Sequence, residues 1–301
     1  MIDAFIDTLQ FFPRGLVFVA VGLITLVLAK YVKDLVTHHS IDDEVTEKGN
    51  LAVALRLSGY YFAVILVLLG ALYQPLSGSA APTGLGFNQD YAFEVLRVFL
   101  YSLAGIVALN LVRVLFDRVV LYQFHTEQEV VQDQNVGAGA AEFGMYLATA
   151  LITAGAVAGD TAGSEGEAAL VSLAFFGMGL ALLVVFAVLY EFTTPYNIHD
   201  EIENGNWAVG VAFGGNLIAI GLVAFKAVFG EFAGWGESIA AFLTYGVLGF
   251  VLLYAVRVIV DLALLHTVRV SRALAPGRNI SVALVESAVV ISSAMVLFMA
   301  I

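Results

Sequence analysis

Eight long hydrophobic segments, separated by short polar stretches, dominate the chain. Each is close to the roughly 20 residues that an α-helix needs to cross the hydrocarbon core of a bilayer. The segments are continuously apolar, whereas the strands of a membrane β-barrel alternate between apolar and polar residues. The pattern therefore predicts an all-α, polytopic membrane helix bundle. Its eight transmembrane helices are predicted near 12–36, 50–73, 92–122, 135–158, 168–193, 206–229, 238–265 and 279–301.

Composition agrees with this prediction and removes several classes of function. Of 301 residues, 60% are hydrophobic and only 13% are charged, against about 25% charged in soluble domains. The chain has no cysteine, which excludes disulfides, thiolate metal sites and cysteine nucleophiles. The net charge of −12 argues against nucleic acid as a partner, because phosphates need clustered lysine and arginine. The acidic start lacks the basic leader of a signal peptide, so we expect the first helix to be retained.

Lysine and arginine predict the orientation, since cytoplasmic loops carry an excess of both. Most of the 13 basic residues lie on or near the side that holds the linkers 37–49, 123–134, 194–205 and 266–278. These linkers are therefore predicted to be cytoplasmic, with both termini outside. The lipid bilayer is the expected main partner of the chain.

Four asparagines mark a repeat, with one at the start of every second hydrophobic segment. They are Asn50, Asn135, Asn206 and Asn279. Small and apolar residues follow each of them. One interpretation is a helix N-cap, where asparagine satisfies the free N–H groups of the first turn. The alternative is that four helix N-termini converge on a shared anion or polar solute.

Shared sequence features group the four units into two pairs, units two and four and units one and three. The landmarks Arg113, Asp117, Asn135 and Glu142 recur at an offset of 144, as Arg257, Asp261, Asn279 and Glu286. Units one and three instead share an acidic loop that ends in Gly-Asn, at 43–50 and 200–206. Each unit has an even number of helices, so the repeats are predicted to insert in parallel. We predict two duplicated four-helix halves, 1–158 (hairpins 12–73 and 92–158) and 159–301 (hairpins 168–229 and 238–301).

The pattern Asp-Glu…Gly-Asn-x-Ala-Val-Ala/Gly…Gly at 43–59 and 200–215 resembles the prokaryotic family catalogued as domain of unknown function 350. The resemblance covers nearly the whole chain and is weakest in unit four, where Arg278 replaces glycine. It implies an inner-membrane protein made of such hairpins. It implies no functional residues, because the family has no settled activity.

Two glutamates are predicted to lie inside the hydrocarbon layer. Glu142 and Glu286 each follow an asparagine by seven residues, which is about 10 Å along a helix. A charge at that depth costs several kcal/mol unless it is paired, protonated or hydrated. Static ion pairs and a proton- or cation-handling site both fit this pattern. The candidate partners are Arg56, Arg113 and Arg257. Asp117 and Asp261, each four residues after an arginine, are further candidates for ion binding.

Small residues and histidines have more ordinary interpretations. Gly210-x-x-x-Gly214 and its counterparts predict close helix packing. The histidines are interpreted as solvated linker residues, because their spacing matches no metal motif. They are His38, His39, His125, His199 and His266. We therefore predict no metal site, no cofactor and no catalytic residue, and we do not expect an enzyme.

Two functions of different classes fit this sequence. The first is a transporter or channel in which Glu142 and Glu286 bind a proton, a cation or another small polar solute. The alternative is a membrane scaffold or stress-response partner, in which acidic loops dock a soluble cytoplasmic protein. Those loops lie at 43–47, 127–133 and 200–203. The pattern predicts no particular oligomeric state.

Overall fold

The computed structural model describes residues 2–37, 39–78, 89–123, 125–159, 164–259 and 269–300. Within these ranges the chain is overwhelmingly α-helical, and eight helices are long and apolar enough to cross a membrane. The predicted all-α bundle with eight transmembrane helices is confirmed. Asp261, His38 and His266 lie outside the described residues.

Each of four units contains a long outer helix, a short linker helix and a long inner helix. The first two units comprise α1 (Ile2–Val36), α2 (Ile41–Thr46), α3 (Leu51–Gly78), α4 (Gln89–Val119), α5 (Thr126–Val131) and α6 (Val136–Ala158). The last two comprise α7 (Glu165–Thr193), α8 (Ile198–Glu203), α9 (Trp207–Val228), α10 (Trp235–Ile259), α11 (Val270–Leu274) and α12 (Ile280–Ala300). The inner helices are α3, α6, α9 and α12. We call the side of the molecule that holds α2, α5, α8 and α11 the linker side.

The inner helices pack side by side in one row, α3 against α6, α6 against α9 and α9 against α12. The outer helices flank this row and expose large apolar residues such as Leu23, Leu111 and Val247. Such faces fit contact with lipid, in which exposed apolar side chains cost nothing. Among the described residues no extensive packing joins α3 to α12, so the row is open at both ends.

Small residues let the inner helices approach each other closely. A Cβ atom added at Gly59 would lie 2.8 Å from the Cα of Phe143, and one added at Gly139 would lie 2.8 Å from the Cα of Ala52. Gly210 meets the backbone of unit two in the same way. Such backbone contact drives helix association in a bilayer, where lipid is as apolar as leucine. The close packing predicted from the small-residue pattern is therefore present.

The assignment of 1–158 and 159–301 to two duplicated halves stays a prediction. The boundary between these ranges falls after α6, yet α6 packs tightly against α9 across it. The row of inner helices is thus continuous through the predicted boundary.

Candidate functional site

The four asparagines lie at the N-termini of the inner helices. Oδ1 of Asn206 accepts hydrogen bonds from the backbone N–H groups of Ala208 and Val209, at 3.1 and 3.4 Å. The other three asparagines accept from N–H groups two or three residues further along the chain. This N-cap geometry satisfies donors that have no carbonyl partner within their own helix.

The residue before each asparagine has a positive φ, which turns the chain from the linker into the inner helix. The values are 62° at Gly49, 51° at Gln134, 70° at Gly205 and 45° at Arg278. Glycine adopts this left-handed conformation without cost, whereas residues with a Cβ do so at about 1–2 kcal/mol. Glycine was a visible sequence signal in units one and three, but nothing local marked Gln134 or Arg278.

Three asparagines also connect one unit to the next. Nδ2 of Asn135 donates to the carbonyl of Ile202 at 2.6 Å, in the linker helix of unit three. Asn50 and Asn206 donate likewise to linker carbonyls of the unit that follows each of them. The helix N-termini therefore follow one another along the row, rather than surrounding one point.

Glutamates of the linkers hold the same asparagine side chains. Glu44, Glu129 and Glu201 accept from the side-chain amides of the three connecting asparagines, at 3.1, 2.7 and 2.7 Å. Unit four has Ala273 at the corresponding position. These glutamates belong to the loops interpreted as acidic docking segments, but the structure uses them inside the fold.

Glu142 lies at the centre of a charged cluster formed by α3, α4, α5 and α6. Its Oε1 accepts from Nε of Arg113 at 2.9 Å, and its Oε2 lies 3.6 Å from Nε of Arg56. Both arginines also bind Glu127, Arg56 at 2.8 Å and Arg113 through a terminal nitrogen. Asp117 lies at the edge, with Oδ2 3.9 Å from Nε of Arg113. The structure thus brings four of the predicted site residues together.

Glu127 connects this cluster to the linker surface. Its side chain is 45% exposed, whereas those of Arg56 and Glu142 are 2% and 0% exposed. An open groove of about 480 Å³ borders Glu127 and Asp117 on this side. Burial raises the pKa of Glu127, but the charges of Arg56 and Arg113 outweigh burial and lower this pKa to about 2. Glu127 is therefore a carboxylate at neutral pH.

Lys33 joins the cluster from α1, although nothing in the sequence singled it out as a site residue. The residue is 1% exposed, and its Nζ donates to the hydroxyl of Tyr146 at 2.6 Å. Nζ also lies 5.1 Å from the ring centroids of Tyr60 and Tyr146. Tyr146 follows Glu142 by four residues and so shares its face of α6. The spacing of Glu142 and Tyr146 was therefore the sequence signal that could have placed Tyr146, the residue that binds Lys33, in the site.

Glu286 is also fully buried, but its surroundings differ from those of Glu142. The guanidinium carbon of Arg257 lies 4.8 Å from the ring centroid of Tyr190. The linker of unit three is one residue shorter than that of unit one. Matching residues of these two units are therefore 157 positions apart before the linker and 156 positions apart after it. Tyr190 and Ala212 therefore occupy the positions of Lys33 and Arg56. Uncharged residues thus take the positions of two cations of the first cluster.

The interpretation of His199 as a solvated linker residue is wrong. The histidine is buried rather than solvated, with Nδ1 2.7 Å from Oε1 of Glu191 and Nε2 bonded to the carbonyl of Val120. The reason is tertiary, because α8 folds back toward the end of α4 in the preceding unit. His39 is also held, with Nδ1 3.1 Å from Oε1 of Glu127, and burial lowers its pKa.

These features define a polytopic membrane protein of helical hairpins, with inner helices in one row and charges buried between them. A family model described as "Domain of Unknown Function (DUF350)" matches residues 7–157 and 165–301, and the chain belongs to this family. The resemblance found in the sequence is thereby confirmed.

Two curated proteins are similar to this chain. "UPF0719 transmembrane protein" of Aquifex aeolicus (strain VF5) is 23% identical over 280 residues, which span 92% of this chain and 96% of the relative. "UPF0719 transmembrane protein YshE" of Bacillus subtilis (strain 168) is 33% identical over 80 residues, which span 27% of this chain and 56% of the relative. No solved structure matches the chain significantly. The names and the apolar helices agree on a multi-pass membrane protein in contact with lipid.

Proposed function

We propose that this chain is a proton-handling transporter or channel, and that the cluster around Glu142 is its working site. The observation that carries the proposal is a continuous run of charged groups. It leads from Glu127, half exposed on the linker side, through two arginines to the fully buried Glu142. Ionisable groups inside a membrane are costly, and they commonly mark the pathways of ions and protons.

The charges of the cluster favour a proton over a metal cation. Arg56 and Arg113 already pair with the carboxylates that a metal ion would need, namely those of Glu142, Glu127 and Asp117. Both oxygens of Glu142 already face guanidinium groups. A proton is different, because it needs one oxygen and no coordination shell.

Proton uptake would change the ion pairs of the cluster. Protonation of Glu142 cancels the charge that attracts Arg56 and Arg113. Arg56 would then keep its ion pair with Glu127, and Arg113 would keep those with Glu127 and Asp117. Release of a proton from Lys33 would restore the balance of charge. The hydroxyl of Tyr146 is bonded to Lys33, and Tyr146 lies one helical turn from Glu142 on the same face of α6, which supports a relay of protons between Glu142 and Lys33 through Tyr146.

Proton flux into reconstituted vesicles, followed with an internal pH dye under an imposed pH gradient, tests the proposal. Glu142→Gln is expected to abolish the flux. Glu286→Gln is expected to reduce it less, because uncharged Tyr190 and Ala212 take the positions of Lys33 and Arg56. Glu47→Gln is the control, since this exposed carboxylate makes no ion pair among the described residues. Undiminished flux in the Glu142→Gln, Glu286→Gln double variant would rule the proposal out.

Glu142→Gln leaves the buried Arg56 and the partly buried Arg113 poorly paired, which can cost about 3–5 kcal/mol and unfold the protein. Tyr146→Phe keeps every ion pair of the cluster and removes only the hydroxyl that binds Lys33, which should cost about 1–3 kcal/mol. A folded Tyr146→Phe protein with reduced flux supports the relay. Wild-type flux in this variant would show that the hydroxyl has no part in it.

A second candidate function is the membrane scaffold, which one observation favours. Several linker acids remain exposed after the inward-facing glutamates are set aside, namely Asp43, Glu47, Asp133, Asp200 and Glu203. Under this hypothesis, alanine at these positions removes a soluble partner that copurifies with the wild type and leaves thermal stability unchanged. Retention of every copurifying protein would contradict it.

A further inference from the structure

The three junctions between neighbouring inner helices are built from the same contacts. At each junction, the residue nine positions after one asparagine packs against the residue eight positions after the next asparagine. These pairs are Gly59 with Phe143, Gly144 with Gly214, and Gly215 with Ser287. Each junction therefore joins a leading face, which holds the asparagine, to a receiving face, which holds the linker carbonyls of the following unit.

One leading face remains uncovered at the end of the row. Asn50, Asn135 and Asn206 are buried at their junctions, whereas Asn279 is exposed. In the described part of the chain its amide reaches no linker carbonyl of another unit. Ala288, nine positions after Asn279, is also exposed. It borders an open groove of about 500 Å³ between α10 and α12.

One receiving face is uncovered at the other end. The linker carbonyls that accept from an asparagine belong to residues whose side chains are mostly buried, such as Val130, Ile202 and Leu274. The matching residues of unit one are Val45, which is partly exposed, and Thr46, which is exposed. Thus the first unit lacks a preceding neighbour in the same way that the fourth lacks a following one.

The two ends carry opposite charge. Residues 37–49 contain four carboxylates and one lysine, a net charge of −3 with histidine neutral. Residues 269–278 contain three arginines and no carboxylate, a net charge of +3. Contact between these ends in two copies brings opposite charges together, whereas two like ends would repel each other. A head-to-tail contact is favoured over a face-to-face dimer.

We propose that a second copy of this chain continues the row, with unit four of one copy packed against unit one of the other. In this contact Asn279 donates to the carbonyls of Val45 and Thr46 of the neighbouring copy. Ala288 packs against Ser58 of that copy, which is eight positions after Asn50. The methyl group of Ala288 replaces a glycine hydrogen, so the helices lie slightly further apart than at the internal junctions. The inference is independent of the proposed function.

Cysteine cross-linking tests the contact cleanly, because the chain has no cysteine of its own. Ser58→Cys and Ala288→Cys are made as separate variants with tags of different size, then coexpressed and oxidised in native membranes. The slightly wider spacing at Ala288 suits the Cα separation of about 4.4–6.8 Å that a disulfide requires. The expected product is a mixed dimer that contains one copy of each variant.

Each variant oxidised alone supplies the matched control. Neither should form a dimer, because Ser58 faces only Ala288 in a head-to-tail contact. A dimer of Ala288→Cys with itself would indicate a face-to-face contact and overturn the proposal. Absence of the mixed dimer would overturn it as well, since some other protein or lipid would then cover α12.

Charge reversal supplies a second measurement that does not depend on the cysteine positions. Adding Arg272→Glu and Arg278→Glu to the Ala288→Cys variant is expected to abolish the mixed product. Both arginines are exposed, so the change should leave the monomer folded, as size-exclusion chromatography in detergent would show. An unchanged yield from folded protein would contradict the head-to-tail arrangement.

Discussion

Asn206 and Ser164 both cap long helices, but only Asn206 acts on two units at once. Ser164 is exposed, and its hydroxyl accepts from the N–H of Glu167 at 3.3 Å. Asn206 is fully buried, caps α9 and donates to Leu274 and Ala275 of the next unit. A single residue type therefore performs local capping through Oδ1 and connects neighbouring units through Nδ2.

The two caps predict different losses of stability. Ser164→Ala should cost about 1 kcal/mol, the usual value of an exposed N-cap. Asn206→Ala should cost about 2–4 kcal/mol, because it also leaves buried carbonyls and Glu201 without their donor. Denaturant unfolding in detergent micelles measures both changes. Equal losses in the two variants would contradict the connecting role of Asn206.

At the scale of elements, the row of inner helices depends on backbone contact rather than on large side chains. Gly144 of α6 lies directly against the backbone of Gly214 in α9. Gly70 of α3 lies against α6 in the same way, because a Cβ atom added at Gly70 would lie 2.6 Å from the Cα of Ala154. By contrast, Gly177 of the outer helix α7 has nothing within 4 Å of an added Cβ.

Alanine at these glycines should have opposite effects. Gly144→Ala forces α6 and α9 apart, and overpacking of this kind costs about 1–3 kcal/mol. Gly177→Ala adds no contact and should be neutral or stabilise α7 by up to about 1 kcal/mol, because alanine is the better helix former. Thermal unfolding of the purified variants compares them. A loss of stability at Gly177 as large as that at Gly144 would show that packing in the row is not the cause.

At the scale of the whole molecule, ion pairs join the first two units in addition to the glycine contacts between α3 and α6. Glu127 of α5 binds Arg56 of α3 and Arg113 of α4, and it also contacts His39. Because its folded pKa of about 2 lies below the ordinary value of about 4.3, Glu127 stabilises the fold above pH 4.3. That stabilisation is lost as the pH falls toward 2.

Glu127→Gln should therefore lower the melting temperature at pH 7. The difference from the wild type should shrink between about pH 4.3 and about pH 2, where the wild-type carboxylate gains a proton. Glu47→Gln serves as the control, and it should show little difference at any pH. A constant difference for Glu127→Gln across this range would mean that the side chain acts through its shape and not through its charge.

Some of the site could be predicted from residue spacing, and some could not. The distance of seven residues from Asn135 to Glu142 correctly indicated a buried carboxylate, because depth along one helix is a local property. The partners of that carboxylate were narrowed to a short list that included Arg56 and Arg113. Lys33 escaped the prediction, since it lies 113 residues from Tyr146, which it binds.

The sequence by itself determined the eight helices and the points at which the inner helices begin, because hydrophobic length and capping act within one segment. Only the tertiary structure decided the open row, the buried position of His199 and the different surroundings of Glu142 and Glu286. These features depend on which helices become neighbours. Neighbours are chosen by the fit of small residues such as Gly144 and Gly214, 70 residues apart in the chain, and by charges that no local pattern pairs.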